Sequence, residues 1–113
     1  MTSRIHGVGW TESAVRDLEG IARCIAADSP ANAGRLVERL RERTRMLDRL
    51  PERGRIVPEL AAFGIRAYRE LVIRPYRVVY RVRDGSVLVL AVFDGRRDLE
   101  DVLLDRLVRH GIS

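Results

Sequence analysis

Six arginines, Arg66, Arg69, Arg74, Arg77, Arg81 and Arg83, stand within one stretch of this chain that holds a single acid, Glu70. Arginine keeps its charge at any relevant pH and presents a planar fork of donors that fits phosphate or carboxylate. Such residues can hold an anion or stabilise charge developing on a reacting phosphate, but an always-protonated group cannot act as a base. A base would have to be supplied separately, and Glu70 is the acid at hand. Lying between Arg77 and Arg81, it would be the candidate base of an RNA-cleaving site; the plainer expectation is that flanking guanidiniums lock it in a structural salt bridge. Gly95-Arg96-Arg97-Asp98 is a second basic spot able to hold a phosphate, although Asp98 also reads simply as a helix cap.

Little else in the chain has reactive spacing. His6 and His110 stand near opposite ends, with no Cys or acid pattern around them that suggests a metal site, so neither a metal nor another cofactor is expected. No Ser-His-Asp set and no phosphate-cradling glycine loop is visible. Cys24 has no partner for an internal disulfide, which suits a reducing cytoplasm, and it falls within a helical pattern as an expected small core filler. The longest apolar run, Ser86 to Phe93, is far short of a membrane span, and no signal peptide follows Arg4. All 21 basic residues are arginine and the net charge is +5, a charge that the Arg66 to Arg83 segment carries by itself. A basic surface concentrated on one element points to an anionic partner, either nucleic acid or an acidic protein segment.

The elements that must position these residues follow from capping, periodicity and turns. The 113 residues suffice for a single domain with one core. A short strand is expected around Arg4 to Val8. Thr11 can cap a helix running to about Ala27, with Ala14, Leu18, Ile21, Ala22 and Ile25 as its buried stripe. Ser29-Pro30 starts a second helix, reaching Leu50, whose stripe is Ala33, Leu36, Val37, Leu40, Thr44 and Leu47. The two should fold back as an antiparallel hairpin. From Glu52 to Gly64 the prolines and glycines read as an ordered loop. The period then changes to two: a strand from Ala67 to Ile73, a turn at Arg74-Pro75, a strand from Tyr76 to Arg83, a tight turn at Asp84-Gly85 and an apolar strand from Val87 to Phe93. Asp98 can cap a last helix from Leu99 to His110, with Gly111 as its stop. The expected fold is α+β: an N-terminal strand, a two-helix hairpin, a three-stranded antiparallel sheet and a C-terminal helix.

With Asp84-Gly85 as the turn, Arg83 pairs with Ser86, Arg81 with Leu88, Val79 with Leu90 and Arg77 with Val92. The opposite face, from Tyr76, Val78, Tyr80 and Val82 to Val87, Val89, Ala91 and Phe93, is uniformly apolar or aromatic and must lie under the helices. Two readings of the first face remain open. It is a binding surface, with a basic stripe of Arg77, Arg81 and Arg83 beside an apolar stripe of Val79, Leu88, Leu90 and Val92. Otherwise, the last helix covers the apolar residues and the arginines are solvated or paired with Glu70.

Four segments, in order, carry a resemblance. They are Trp10 to Leu18 with Ile21-Ala22 and Ile25-Ala26; Pro51 to Glu59; Arg69-Glu-Leu71 with Tyr76-Arg-Val-Val-Tyr80; and Val92 to Asp98. From about Trp10 to Leu104 the chain resembles the RelE/ParE toxins of bacterial type II toxin–antitoxin systems, with the ParE branch favoured. That resemblance implies a cytoplasmic toxin neutralised by a cognate antitoxin whose C-terminal segment wraps it as helix and strand over the basic face. Promoter DNA would be bound only through the antitoxin.

The family holds two chemistries. RelE-like members cut messenger RNA on the ribosome, and ParE-like members poison DNA gyrase. Carried over from the nucleases, the cationic positions are Arg77 and Arg97, with Glu70 as the only imaginable base. The lysines that the nucleases place on the second strand are replaced by Tyr68 and Glu70, and their terminal-helix tyrosine by Leu103. The expectation is therefore a gyrase inhibitor, using Arg77, Arg81, Arg83 and Arg97 toward target or antitoxin. The alternatives are a ribosome-dependent endoribonuclease and an inactive module that only binds its antitoxin.

Overall fold

Capping chemistry starts the long helices at the expected places. The computed structural model describes residues 7–110. Helix α1 (Glu12–Ala26) begins where the Thr11 hydroxyl accepts from the Ala14 amide at 3.1 Å. Helix α2 (Pro30–Arg45) begins where Ser29 Oγ accepts from the Asn32 amide at 3.2 Å, with Pro30 at the first helical position. It passes into a 3₁₀ turn at Met46–Asp48 rather than continuing to Leu50. Ala14 from α1 and Ala33, Leu36, Leu40 and Thr44 from α2 are buried, as their spacing predicts. Cys24 is exposed, contrary to expectation, because the buried stripe of α1 runs through Leu18, Ile21 and Ile25 and leaves position 24 outside.

Strand β1 (Val8–Trp10) is followed, after the helices, by β2 (Arg55–Ile56), the short helix α3 (Pro58–Ala61), β3 (Arg69–Ile73), β4 (Tyr76–Arg83), β5 (Ser86–Asp94) and the terminal helix α4 (Leu99–His110). Of the expected first strand, residues 4–6 lie outside the described residues, as does the stop at Gly111. The expected three strands form the centre of a five-stranded sheet ordered β1-β5-β4-β3-β2, in which β1 runs parallel to β5 and the other pairs are antiparallel. The segment from Glu52 to Gly64, expected as an ordered loop, instead holds β2 and α3.

Pairing of Ile73 with Tyr76 makes Arg74-Pro75 a two-residue turn, as expected. The β4–β5 register holds from Arg83↔Ser86 through Arg81↔Leu88, but then shifts, with Tyr80 opposite Val89 and Val79 opposite Ala91. Leu90 is therefore the extra residue of a bulge, and the expected pairs Val79–Leu90 and Arg77–Val92 do not form. The continuously apolar run of β5 has no alternation to resist this slip. Beyond the bulge the faces exchange. Val92, expected on the basic face, lies opposite Val78 in the core beneath α1 and α2, while Ala91 and Phe93 turn to the other face.

The bulge is held by side chains. Asp17 Oδ2 accepts from the Val92 amide at 3.0 Å, and Arg106 donates to the Leu90 carbonyl at 3.2 Å. The two side chains pair with each other at 2.5 Å, tying α1 and α4 to the irregular strand. The sheet thus carries two apolar layers. The larger packs α1 and α2 against Leu71, Ile73, Val78, Tyr80, Val87, Val89 and Val92. The smaller packs Leu99 and Val102 of α4 with Val57, Val79 and Phe93 on the opposite face. Each fully buried large side chain in these layers contributes about 1.5–3 kcal/mol relative to exposure.

Candidate functional site

Antiparallel pairing places Glu70 beside Val79 on one side and Arg55 on the other, with Arg77 one pair further along the face that α4 covers. Glu70 is fully buried there, and a buried carboxylate needs charged partners. Arg77 Nε donates to Glu70 Oε1 and Arg55 Nε to Glu70 Oε2, both at 2.7 Å. The remaining Arg77 nitrogens, Nη1 and Nη2, form a bidentate pair with Glu59 Oε2 and Oε1 at 2.7 Å each. The guanidinium also sits 5.2 Å from the Phe93 ring centre, a cation–π contact that exists because the bulge turns Phe93 to this face.

This arrangement has electrostatic consequences. Hydrogen bonds from Arg77 hold the Glu59 carboxyl below its ordinary range, against the opposing pull of burial. The Glu59 carboxylate, and after it Glu70, push the Arg77 guanidinium's pKa further up, so its proton is not available for transfer. The flanking-arginine expectation for Glu70 takes a corrected form: its partners are Arg77 and Arg55, and Arg81 makes no contact with it among the described hydrogen bonds and ion pairs.

A second buried polar site secures the loop that carries this network. Tyr80 is fully buried, its hydroxyl donating to the Pro51 carbonyl at 2.7 Å and accepting from the Gly54 amide at 2.9 Å. Burial raises the Tyr80 phenol's pKa above its ordinary value, opposed by the hydrogen bond from the Gly54 amide. Gly54 must be glycine, because an added Cβ would stand 2.5 Å from the Glu70 carbonyl oxygen. Arg69 donates to the Gly54 carbonyl at 2.8 Å, closing the same loop from outside.

The residues expected to form one basic face are therefore divided. Arg77 is buried and its Nε, Nη1 and Nη2 are engaged. Arg81 is half-buried, Arg83 and Arg97 are exposed, and none of the three has a side-chain ion pair among the described residues. The apolar stripe is divided as well. Val79 is covered, Val92 lies on the other face, and Leu88 and Leu90 remain half-buried. Nearby on α4, Leu103 and Leu104 are exposed. Asp98 caps α4 through the Glu100 amide at 3.2 Å, so the cap reading of that segment describes the geometry. Asp94 and Arg96 form an exposed pair that holds the Asp94 carboxyl down to about 2.

Arg55, Glu59, Asp17 and Arg106 escaped the sequence reading. Only Glu59, an acid directly after Pro58, carried a local signal, that of a first-turn residue in a helix. Among the described residues no group of three or more His, Cys, Asp or Glu side chains could hold a metal ion, and no helix is long and apolar enough to cross a membrane.

Comparison with known proteins adds three findings. A family model described as the ParE toxin of type II toxin-antitoxin system, parDE, matches residues 8–99. A solved structure titled as the chromosomal ParDE TA system from P. aeruginosa superposes with a TM-score of 0.67 at 20% identity, covering 82% of this chain and 98% of that one. No curated protein matches the chain.

Proposed function

The chain belongs to the ParE toxin family of type II toxin–antitoxin systems, and from that membership we propose that it inhibits DNA gyrase, and hence replication, until a cognate antitoxin neutralises it. The observation that carries the choice of activity is the closed network around Arg77. An RNA-cleaving site built on Arg77 and Glu70 would need a free guanidinium aimed at a phosphate and a base open to a hydroxyl. Here Glu70 has no exposed surface, and Arg77 is bound on one side by Glu70 and on the other by Glu59. Opening that site to RNA would break three short charge-assisted hydrogen bonds before any chemistry began. A toxin that acts by binding a protein target has no such requirement.

Neutralisation fits the remaining surface. Arg81, Arg83 and Arg97 supply charge, and Leu88, Leu90, Leu103 and Leu104 supply partly or largely accessible apolar area. An antitoxin segment with acidic and apolar residues would complement both. The work would be done in the cytoplasm by a single domain without a cofactor, and promoter DNA would be reached through the antitoxin.

Pulse labelling of DNA and protein synthesis after induction without antitoxin tests this reading, followed by gyrase supercoiling with purified protein. DNA synthesis should stop first, and purified toxin should inhibit supercoiling. Early arrest of protein synthesis would instead make Glu70, Arg77 and Arg97 catalytic suspects. Soluble protein with neither effect would leave only an antitoxin-binding module.

A further inference from the structure

Most arginines on or beside the α4 face are already engaged. Arg77 and Arg55 hold Glu70, Arg106 holds Asp17, Arg96 holds Asp94, and Arg69 holds the Gly54 carbonyl. Arg81 and Arg83 have no acid partner among the described residues, and they share one feature of the fold. They border a groove of about 530 Å³ that runs onto the edge strand β1.

The groove exists because β1 has nothing to put into it. Gly9 pairs with Leu88, and a Cβ built on Gly9 would point at Leu88 Cδ1 at 3.6 Å, so this position faces the same side as Leu88 and Arg81. Gly7, two residues earlier, lines the groove with Ser86, whose strand partner is Arg83. Val8 and Val87, whose backbones also border it, pack their side chains into the core beneath the helices. The floor is thus glycine backbone and a serine, with Leu88 as the one large apolar side chain, and two guanidiniums stand along one wall.

We infer that this groove binds a phosphodiester backbone. Arg81 and Arg83 alternate on one strand face, so their side chains leave the sheet about 7 Å apart, close to the spacing of consecutive phosphates along a strand. The antitoxin segment proposed above would take its apolar anchors from Leu90, Leu103 and Leu104, outside this groove; within it, a protein segment would need anchors beyond the single Leu88. A polyanion does not, because its affinity comes from charge neutralisation and counterion release. The groove is open, and its glycine floor lets a backbone approach more closely than a side-chain-covered strand would. This reading goes beyond gyrase inhibition and does not depend on it.

The test is fluorescence anisotropy of labelled 20-nucleotide single-stranded DNA, the matching duplex and the matching RNA, titrated with the antitoxin-free chain at several salt concentrations. Arg81→Gln with Arg83→Gln should weaken binding at least tenfold at low salt. It should also flatten the log–log salt slope by about 1.4 for a single strand or 1.8 for a duplex, the value of two phosphate contacts. Arg41→Gln with Arg43→Gln removes the same charge from the exposed face of α2 and should weaken binding far less. Gly9→Val fills the groove without changing charge, its Cβ making only ordinary contact with Leu88, and should weaken binding severalfold. Which of the three nucleic acids binds tightest identifies the source of the phosphates. Equal losses from the α2 pair, an unchanged slope in the Arg81/Arg83 variant, or full binding by a folded Gly9→Val variant would overturn the inference. So would capture of a poly-glutamate peptide in place of all three nucleic acids. Because gyrase is absent, supercoiling inhibition and nucleic-acid binding can fail independently.

Discussion

Replacing Glu70 with glutamine separates a structural network from a catalytic one. The substitution preserves shape, so no cavity opens, and the effect is confined to charge and donor pattern. Glu70 receives a 2.7 Å hydrogen bond from Arg77 on one oxygen and another from Arg55 on the other, with no solvent contact. A glutamine keeps one acceptor and turns the other position into a donor facing an arginine N–H. One charge-assisted bond is lost, at about 1.5–3 kcal/mol, and a buried donor is left facing a donor. Arg77 keeps Glu59, and Arg55 is exposed enough to be rehydrated, which limits the damage. The expected destabilisation is about 3 kcal/mol, a large share of the roughly 5–15 kcal/mol that holds a domain of this size. In thermal unfolding it should read as a drop of roughly 10–15 °C in Tm, and in urea as a lower midpoint with an unchanged slope. Joint replacement, Glu70→Leu with Arg77→Met, should recover most of the loss, because apolar side chains need no buried partners and Glu59 can turn to water. In cells at permissive temperature, Glu70→Gln toxicity should follow the folded fraction. A Glu70→Gln protein as stable as the parent but non-toxic would refute this reasoning and return Glu70 to a chemical role.

Tyr80→Phe leaves the Gly54 amide and the Pro51 carbonyl without their partner; it should cost about 1–2 kcal/mol and speed hydrogen exchange at the Gly54 amide. Gly54→Ala should cost at least as much by urea unfolding, since its Cβ would stand 2.5 Å from the Glu70 carbonyl oxygen and 2.7 Å from the Tyr80 hydroxyl. A carboxyl held below its ordinary value stabilises the fold above that value and loses the effect as pH falls through the lowered one. The Glu59 contribution is therefore complete above its ordinary 4.5 and fades below, so Glu59→Gln should weaken the protein at neutral pH yet flatten its loss of stability on acidification. Parallel acid-unfolding curves for the two proteins would contradict that. Arg106→Met removes the donor to the Leu90 carbonyl and leaves Asp17 without its cation; it should cost about 1–3 kcal/mol, read by chemical unfolding.

What was legible in the sequence was local. Thr11, Ser29-Pro30 and Asp98 announce helix starts because a cap acts on amides within its own turn. Asp84-Gly85 announces a hairpin because both residues take positive φ there. The parts that stayed hidden depend on partners distant in sequence. Strand β2 has only two residues and α3 only four, too short for any periodicity. They hold their places through Arg55 on Glu70 and Glu59 on Arg77. The Leu90 bulge was hidden for a different reason. A strand apolar on both faces reads the same in either register, so the exchange of Val92 and Phe93 leaves no trace in its pattern.

That exchange bears on function more than its size suggests. It brings Phe93 to Arg77 and, with Leu99 and Val102, helps build a second apolar layer on the face where a basic stripe was expected. Arg77 is thereby enclosed, and enclosure decides what an arginine can do. Buried and engaged by two carboxylates, it orders the loop through Glu59 and has little left for a substrate. At the other end of the same strand, Arg81 and Arg83 border a groove that crosses β5 to Gly7 and Gly9, and the described acids do not reach them. One alternating run, Tyr76 to Arg83, thus supplies a structural cation at its start and accessible cations at its end. Counting arginines cannot separate the two kinds; the placement of Glu59, Glu70, Gly7 and Gly9 can. Under the proposed binding mode, this division keeps the cations needed for stability apart from those left open to a partner.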